Sequence, residues 1–188
     1  MDAYDALMRR VSTRSFQPRP VPRDAIARLL DAAVRAPNHK LTEPWRFAVL
    51  TGASRDRYAA IRRSHREGRF ADPSAPDAAR AVEKTWREAL ETPAVVVVSC
   101  VVADDAQRRE EDLAAAWMAV QNLLTAATAD GLGTYVRTGG IREEPALREL
   151  VGADEGVRVV AVVSLGYPAA EEPPRRRTPA AEKTRWLD

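Results

Sequence analysis

A short cationic segment near the N-terminus, with Arg10, Ser12 and Arg14, carries side chains that suit a phosphate group. A second compact cationic segment, Arg175-Arg-Arg-Thr-Pro179, lies near the other end of the chain. Guanidinium groups and a hydroxyl can form several charge-assisted hydrogen bonds at once, as binding of a phosphate monoester requires. Each segment by itself also fits a simpler interpretation, a solvated helix end for the first and an exposed tail for the second.

The segment between Pro37 and Pro44 is predicted to be a rigid loop, because both prolines restrict its backbone. Asn38 and His39 can offer hydrogen bonds from this loop. We do not expect His39 to be a catalytic base, because no Ser, Cys or carboxylate lies at motif spacing from it. The other histidine, His65, is expected to be a solvated side chain.

The sequence contains no nucleophile elbow, P-loop, paired-carboxylate motif or His/Cys cluster. We therefore expect no metal site and no acid–base machinery, so that in an enzyme a bound cofactor would carry the chemistry. The single cysteine, Cys100, excludes an internal disulfide framework. It lies in the apolar run 94–103, which predicts a buried and unreactive thiol.

The 188 residues carry 29 Lys and Arg against 27 Asp and Glu, which gives a formal net charge of +2. Arg accounts for 26 of the 29 cationic residues, a bias that codon preference explains for most of them. The near-neutral balance argues against a nucleic-acid partner. The acidic N-terminus lacks the order of a signal peptide, and the longest apolar run, about ten residues, is too short to span a membrane. We expect a single cytoplasmic domain over residues 1–188, without membrane contact.

Hydrophobic periodicity predicts an α+β domain, since helices and strands mix without the alternation of a doubly wound sheet. The run 94–103 is apolar throughout and is expected to be the central strand. Further strands are predicted at 46–52, 133–140 and 157–165. Helices are predicted at 2–10, from an Asp24 cap to near Pro37, after a Ser54 cap, at 82–90, at 110–130 and at 145–151.

Three segments are predicted to shape surfaces. The Arg-, Gly- and Pro-rich segment 62–76 is predicted to be a mobile loop and a candidate lid. The helix 110–130 has small or apolar residues on nearly every face and acids in its first turn, so we expect it to be buried almost all round, in the core or against a second subunit. The proline-rich tail is expected to extend across a surface and dock at Trp186.

Five motifs together resemble the nitroreductase superfamily of FMN-dependent enzymes, particularly its shorter members. The resemblance covers the chain from residue 4 to residue 186, and it implies a nitroreductase-like fold. This fold is a mixed, mainly antiparallel sheet flanked by helices, with a C-terminal tail that extends onto the partner subunit. The motifs are Arg9-Arg-Val-Ser-Thr-Arg-Ser-Phe16, Ala36-Pro-Asn-His-Lys-Leu-Thr-Glu-Pro-Trp-Arg-Phe47, Gln121-Asn-Leu-Leu with Gly131-Leu-Gly133, Leu165-Gly-Tyr-Pro168, and Arg175-Arg-Arg-Thr-Pro179 with Trp186.

The resemblance also implies cofactor contacts at individual positions. The two cationic segments would bind one FMN phosphate, with Val11 contributing only its backbone. The loop after Pro37 would reach the flavin bound mainly by the partner subunit, and the segment 136–140 would lie against the flavin ring. The implied FMN contacts are Arg10, Val11, Ser12, Arg14, Arg35, Asn38, His39, Val136, Arg137, Thr138, Arg175 and Arg177.

The activity that the resemblance implies is NAD(P)H oxidation by a homodimer with FMN at the subunit interface. NADH or NADPH would pass a hydride to flavin N5 and leave. A small electron acceptor such as a nitroaromatic or a quinone would then bind in place of the nicotinamide. Two alternatives remain open on the sequence alone. One is a flavin-binding protein that stores or senses FMN without rapid turnover, and the other is an arginine-rich interaction domain with no cofactor.

Overall fold

The computed structural model describes residues 1–173 and 175–187. Its centre is a four-stranded antiparallel sheet in the order β1-β2-β4-β3. The predicted strands are confirmed, and the apolar run 94–103 does form a central strand, β2, because it pairs with a neighbour on each side. The strands are β1 (Trp45–Leu50), β2 (Ala94–Val101), β3 (Gly133–Arg137) and β4 (Val157–Gly166).

Helices cover both faces of the sheet, which explains why β2 is apolar without alternation. Val96 and Val98 pack in one core with residues of α2 and α5, whereas Val95 and Val97 pack in another with Tyr58 of α3. Successive side chains of a strand point to opposite faces, so each valine has a layer to pack against. The helices are α1 (Ala3–Arg9), α2 (Arg23–Ala33), α3 (Gly52–Glu67), α4 (Pro76–Leu90), α5 (Ala106–Ala129) and α6 (Pro145–Val151), with 3-10 turns at His39–Leu41, Gly140–Glu143 and Ala180–Lys183.

The predicted loop and lid at 62–76 is wrong for residues 62–67 and for Pro76, which are helical. Helix α3 continues to Glu67 and α4 begins at Pro76, so only residues 68–75 connect the two helices. The arginines of this segment are compatible with a helix: Arg63 pairs with Glu67 one turn away, at 3.0 Å. Composition alone misled here, because arginine is a good helix former that also dominates loops of this chain.

Two predicted caps are also displaced. The N-cap of α2 is Pro22 rather than Asp24, and the helix ends at Ala33, before Pro37. Helix α3 is capped by Thr51, and Ser54 is its reciprocal partner in a capping box. Both corrections move a helix start by two or three residues, which is the usual uncertainty at helix ends.

Helix α5 begins at Ala106 rather than at residue 110, and Asp105 caps it by accepting from the Arg108 N–H at 2.8 Å. The expected acids therefore lie beyond the first turn. Within this chain α5 is buried on one side only, because Trp117 and Met118 are each 39% exposed. None of the helices in the described residues is long and apolar enough to cross a membrane.

The C-terminal tail does not dock on its own chain at its end. Trp186 is 85% exposed and Leu187 is 78% exposed. Two residues of the predicted tail, Pro174 and Asp188, lie outside the described residues. Docking onto a partner subunit stays a prediction.

Candidate functional site

The segment that follows α1 runs along the edge strand β3 and across the end of β4. Ser12 forms a parallel bridge with Thr134, and the Thr13 N–H donates to the Thr134 carbonyl at 2.9 Å. Further along, the Gln17 N–H donates to the Tyr167 carbonyl at 2.8 Å. These backbone hydrogen bonds hold the segment extended against the sheet.

An extended segment places alternate side chains on opposite sides. Thr13 points into the protein and is 3% exposed, whereas Ser12 and Arg14 are exposed. Ser12 and Arg14 therefore share the side opposite Thr13. Arg10 is half-buried, caps the end of α1 and lies two positions before Ser12, so continued alternation places it on the same side.

Gly133 allows this close approach between the segment and β3. A Cβ atom at this position would lie 2.7 Å from the Cβ of Thr13, which is too close for any side chain. This contact links the Gly131-Leu-Gly133 motif to the cationic N-terminal segment. Two motifs that are far apart in the sequence therefore belong to one structural unit.

The N-terminal cations have no carboxylate partner in the part of the chain that the structure describes: neither the Arg10 nor the Arg14 guanidinium forms an ion pair there. One acid does lie close, since the Glu172 carboxylate accepts from the backbone N–H of Arg14 at 3.2 Å. This contact shows that the Arg14 N–H can hold an anionic oxygen. With two guanidinium groups that form no ion pair among the described residues, it makes a donor set that fits a phosphate, which would replace the Glu172 carboxylate there.

The second cationic segment follows this contact closely. Arg175 lies three positions after Glu172, and a step of three residues spans at most about 11 Å. Arg175 and Arg177 are exposed, and Arg177 donates to the carbonyl of Arg176 at 3.4 Å. No hydrogen bond within the described ranges joins either side chain to the N-terminal segment, so their share in one phosphate site stays a prediction.

The loop between Pro37 and Pro44 has an unusual backbone. Lys40, Leu41 and Glu43 have φ angles of 54°, 52° and 42°, in the left-handed region that residues with side chains seldom adopt. Such conformations cost free energy and persist only where surrounding contacts hold them. Leu41 is 81% exposed, so burial of its own side chain does not provide that support.

Side-chain hydrogen bonds hold the loop, and three of them involve Asn38, His39 and Thr42. The side-chain oxygen of Asn38, Oδ1, accepts from the Glu43 N–H at 3.0 Å, inside the loop. The other two bonds reach α5: His39 Nδ1 lies 2.6 Å from a Glu111 oxygen, and the Thr42 hydroxyl donates to Asp112 at 2.6 Å. The hydrogen bond from His39 lowers the pKa of the Glu111 carboxyl.

The end of β3 carries the residues predicted to lie against the flavin ring. Val136 packs against the core, and the Arg137 guanidinium donates to Ser164 Oγ on β4 at 3.0 Å. Thr138 is exposed and leads into the 3-10 turn that begins at Gly140. The N-terminal segment and this group therefore lie along the same strand.

His65 is not the solvated side chain that the sequence suggested. It is paired with Glu144, its side chain is 22% exposed, and it lies beneath Gly140, where a Cβ would come within 3.2 Å of the ring. The expectation failed because Glu144 is 79 residues away in the chain. Other partners are equally remote in the sequence, so their spacing could not reveal them. They are Glu111 and Asp112, which bond the loop, Ser164, which accepts from Arg137, and Glu172, which accepts from the Arg14 N–H.

The predicted contacts form two separate groups within one chain. The loop with Arg35, Asn38 and His39 precedes β1, whereas the N-terminal segment and residues 136–138 adjoin β3. β1 and β3 are the two edges of the sheet, three strand spacings or about 14 Å apart. Across residues 1–173 and 175–187, no cluster of His, Cys, Asp and Glu could hold a metal ion.

Comparison with known proteins decides the family. The model of the Nitroreductase family matches residues 7–167. The chain belongs to the nitroreductase family. It is 32% identical over 171 residues to YdjA of Escherichia coli (strain K12), which carries a provisional NAD(P)H nitroreductase name, with 89% of each chain covered.

Solved structures of this family share the fold of the chain. A nitroreductase-like family protein from Bacillus cereus superposes with a TM-score of 0.86 at 28% identity and covers 100% of this chain and 97% of its own. The FMN and NADPH-dependent nitroreductase NfnB from sphigopyxis sp. strain HMH superposes with a TM-score of 0.82 at 18% identity over the whole of both chains. The predicted nitroreductase-like α+β fold is confirmed.

Proposed function

We propose that this nitroreductase-family chain is an FMN-dependent NAD(P)H oxidoreductase that acts on a small electron acceptor. The observation that carries the proposal is the face formed by Arg10, Ser12 and Arg14 on an extended segment bonded to β3. It offers cationic and hydroxyl donors without a carboxylate partner for either guanidinium in the described chain. Membership of the nitroreductase family indicates FMN as the ligand that such a face would bind.

The chain's own residues would hold the cofactor from three directions. Arg10, Ser12 and Arg14 would bind the phosphate and the ribityl chain, with the backbone of Val11 beside them. Arg175 and Arg177 would add charge to the same phosphate. Val136, Arg137 and Thr138 would meet the ring, and the Arg137 guanidinium is already oriented by Ser164.

When bound, FMN supplies hydride chemistry at N5, accepting from NADH or NADPH and reducing an acceptor such as a nitroaromatic or a quinone. The protein would position the reactants and favour negative charge on the ring, through Arg137 or through N–H groups of residues 138–140. Thr138 and both glycines after it are exposed, so this stretch lies at the surface.

We propose further that the complete site needs two subunits. One chain holds its two groups of predicted contacts at opposite edges of the sheet. A homodimer would let Arg35, Asn38 and His39 of one subunit meet the flavin held at β3 of the other. The strained loop would then present Leu41 and its neighbours towards the partner's cofactor.

An exposed apolar face on α1 and α5 supports this dimer. Leu7 and Met8 on α1 are 51% and 66% exposed, and Trp117 and Met118 on α5 are 39% each. These two helices pack together, so their exposed apolar side chains lie near one another. A surface of this kind is typical of a subunit interface.

A cleft beside β1 bears on where the C-terminal tail docks. A cavity of about 980 Å³ lies beside the free edge of β1, with Ile26, Leu30 and Val49 in its wall. Trp186 and Leu187 are the exposed apolar residues at the end of the tail. We propose that the tail of the partner subunit occupies this cleft.

The visible spectrum of the purified protein tests the proposed function. We expect a yellow protein whose flavin absorbance disappears under anaerobic NADH or NADPH and returns when a nitroaromatic or quinone is added. A yellow protein that neither reductant bleaches would indicate FMN storage or sensing instead. A colourless protein that gains no absorbance after incubation with FMN would contradict both.

A further inference from the structure

The hydroxyl group of Tyr58, on α3, is buried without a hydrogen-bond partner in the described residues. The side chain is 1% exposed, and within residues 1–173 and 175–187 the hydroxyl has no hydrogen-bond partner. Buried polar groups are nearly always satisfied, so a hydroxyl with no partner among the described residues requires one from outside the chain, which can be water, an ion or a ligand. Tyr58 packs in the core on the α3 side of the sheet, together with Val162 of β4.

Two guanidinium groups converge on the same region. Arg62 follows Tyr58 by one helical turn, so both lie on one face of α3. Arg137 of β3 stands directly across from Val162 in the sheet. It lies over the ring of Tyr135, 4.5 Å from the centroid, and donates to Ser164 Oγ.

The charges of Arg62 and Arg137 are not balanced locally. Burial lowers the pKa of Arg62, and repulsion from Arg137 lowers it further. Glu88 of α4 acts in the opposite direction, but no carboxylate in the described chain lies within 4.0 Å of either guanidinium. Both arginines are half-buried, so the region remains open to solvent on one side.

These groups share one chemical property. The guanidinium groups can only donate hydrogen bonds, and the Tyr58 hydroxyl has its proton free to donate. A neutral acceptor such as Ser164 Oγ satisfies one N–H but cannot offset two positive charges. A small anion would satisfy the remaining donors and remove the repulsion.

We propose that Tyr58, Arg62 and Arg137 form a binding site for a small monovalent anion, either an inorganic ion such as chloride or the carboxylate of a small molecule. The site lies between α3 and the β3–β4 pair. It is separate from the N-terminal face of Arg10 and Arg14, but it shares Arg137 with the proposed contacts to the flavin ring. No metal ion or covalent step is involved.

The chlorine NMR line width of sodium chloride in the presence of the purified protein tests the site. No FMN is added, because FMN would compete at Arg137; chloride bound at the proposed phosphate contacts of Arg10 and Arg14 is recognised because Arg62→Gln leaves its broadening unchanged. We expect broadening that Arg62→Gln reduces by roughly tenfold or more, the scale for losing a charged hydrogen bond. Arg63→Gln is the matched control, because Arg63 is the next residue, is exposed and pairs with Glu67.

Tyr58→Phe removes only the hydroxyl and keeps the buried ring, so it tests the site even if Arg62→Gln does not fold. We expect it also to reduce the broadening. Sodium benzoate then distinguishes the two sources: displacement of chloride assigns the site to carboxylates as well, and failure to displace assigns it to inorganic anions. Broadening that is absent in the unmodified protein, or equal in all variants, would overturn the proposal.

Discussion

Arg10 and Arg14 differ in their surroundings from several other arginines of the chain. Arg28, Arg55 and Arg63 pair with acids on their own helices, at 3.0, 2.6 and 3.0 Å. Such exposed pairs contribute little to stability and are what an arginine-rich composition produces on helix surfaces. The N-terminal arginines lack these partners in the described chain, so their charge remains available to a ligand.

We predict that Arg10→Ala weakens FMN binding by about 1–3 kcal/mol, roughly 5- to 150-fold, the usual scale for a hydrogen bond to a charged group. Quenching of FMN fluorescence on titration with protein measures the dissociation constant. Arg9→Ala is the control, because Arg9 is exposed at the end of α1 and lies outside the alternation that Arg10 begins. Equal dissociation constants in the two variants would refute the phosphate assignment.

Cys100 shows how far a single residue can be read from sequence. Its apolar neighbours predicted a buried thiol, and the side chain is fully buried in β2. Burial, with a smaller effect from the Asp112 carboxylate, raises its pKa from 9.0 to about 11. The prediction needed only local composition, because a strand with apolar side chains on both faces is buried on both faces.

We predict that Cys100 does not react with an aromatic disulfide reagent at about pH 8 in the folded protein and reacts fully after unfolding. The pKa is higher in the folded state, so the associated stabilisation is complete below pH 9.0 and is lost as the pH rises towards 11. Urea unfolding between these pH values, compared with Cys100→Ala, measures that loss. Rapid labelling of the folded protein would contradict the prediction.

The strained loop before β1 is stabilised by another element. Its left-handed residues stay in place because α5 presents Glu111 and Asp112, and Asp112 is 5% exposed. Proline spacing predicted a rigid loop, and the loop is indeed well tethered. The tethers could not be predicted, because Thr42 and Asp112 lie 70 residues apart.

We predict that Thr42→Val destabilises the protein by about 1–3 kcal/mol, because the buried Asp112 carboxylate loses its hydroxyl donor. Thr42→Ser keeps the hydroxyl and should lose much less. Urea unfolding measures the stability, and amide hydrogen exchange of residues 38–43 should be faster in the valine variant alone. Identical exchange in both variants would mean that this hydrogen bond does not hold the loop.

Helices α3 and α4 show where element prediction failed. Apolar periodicity located the starts of the pattern, at Tyr58 and Val82, but charged residues fill the turns between them. Residues 62–67 and 76–81 of that stretch are helical, whereas 68–75 form the connection. Pairs such as Arg63 and Glu67, and the stacking of Arg63 on Trp86 at 4.9 Å, stabilise the helical part. Only the contact between α3 and α4 distinguishes the helical part of this charged stretch from a loop.

At the scale of the molecule, the arrangement of the sheet decides how the candidate site is divided. The N-terminal segment and the loop of Asn38 adjoin opposite edges. The exposed face of Trp117 and Met118 lies on α5, the same helix that tethers the loop. A second copy packed on this face would therefore approach the loop as well.

We predict that Trp117→Glu converts a dimer into a monomer and weakens FMN binding, because a charge would be buried at the proposed interface without a partner. Analytical ultracentrifugation and FMN titration measure the two effects. Ala79→Glu on α4 is the control, since it adds the same charge on an exposed helix position. An unmodified protein that sediments as a monomer would refute the shared site.

The sequence by itself determined the strands, the buried thiol and the family, because apolar runs and local motifs act through neighbouring residues. It also identified the cationic N-terminal segment, whose alternation is a local property. Only the tertiary structure decided which charges remain unpaired, where Arg62, Arg137 and Tyr58 converge, and which acids hold the loop of Asn38. These depend on contacts between residues tens of positions apart, and the free energy of such a contact exists only once the fold has brought the two groups together.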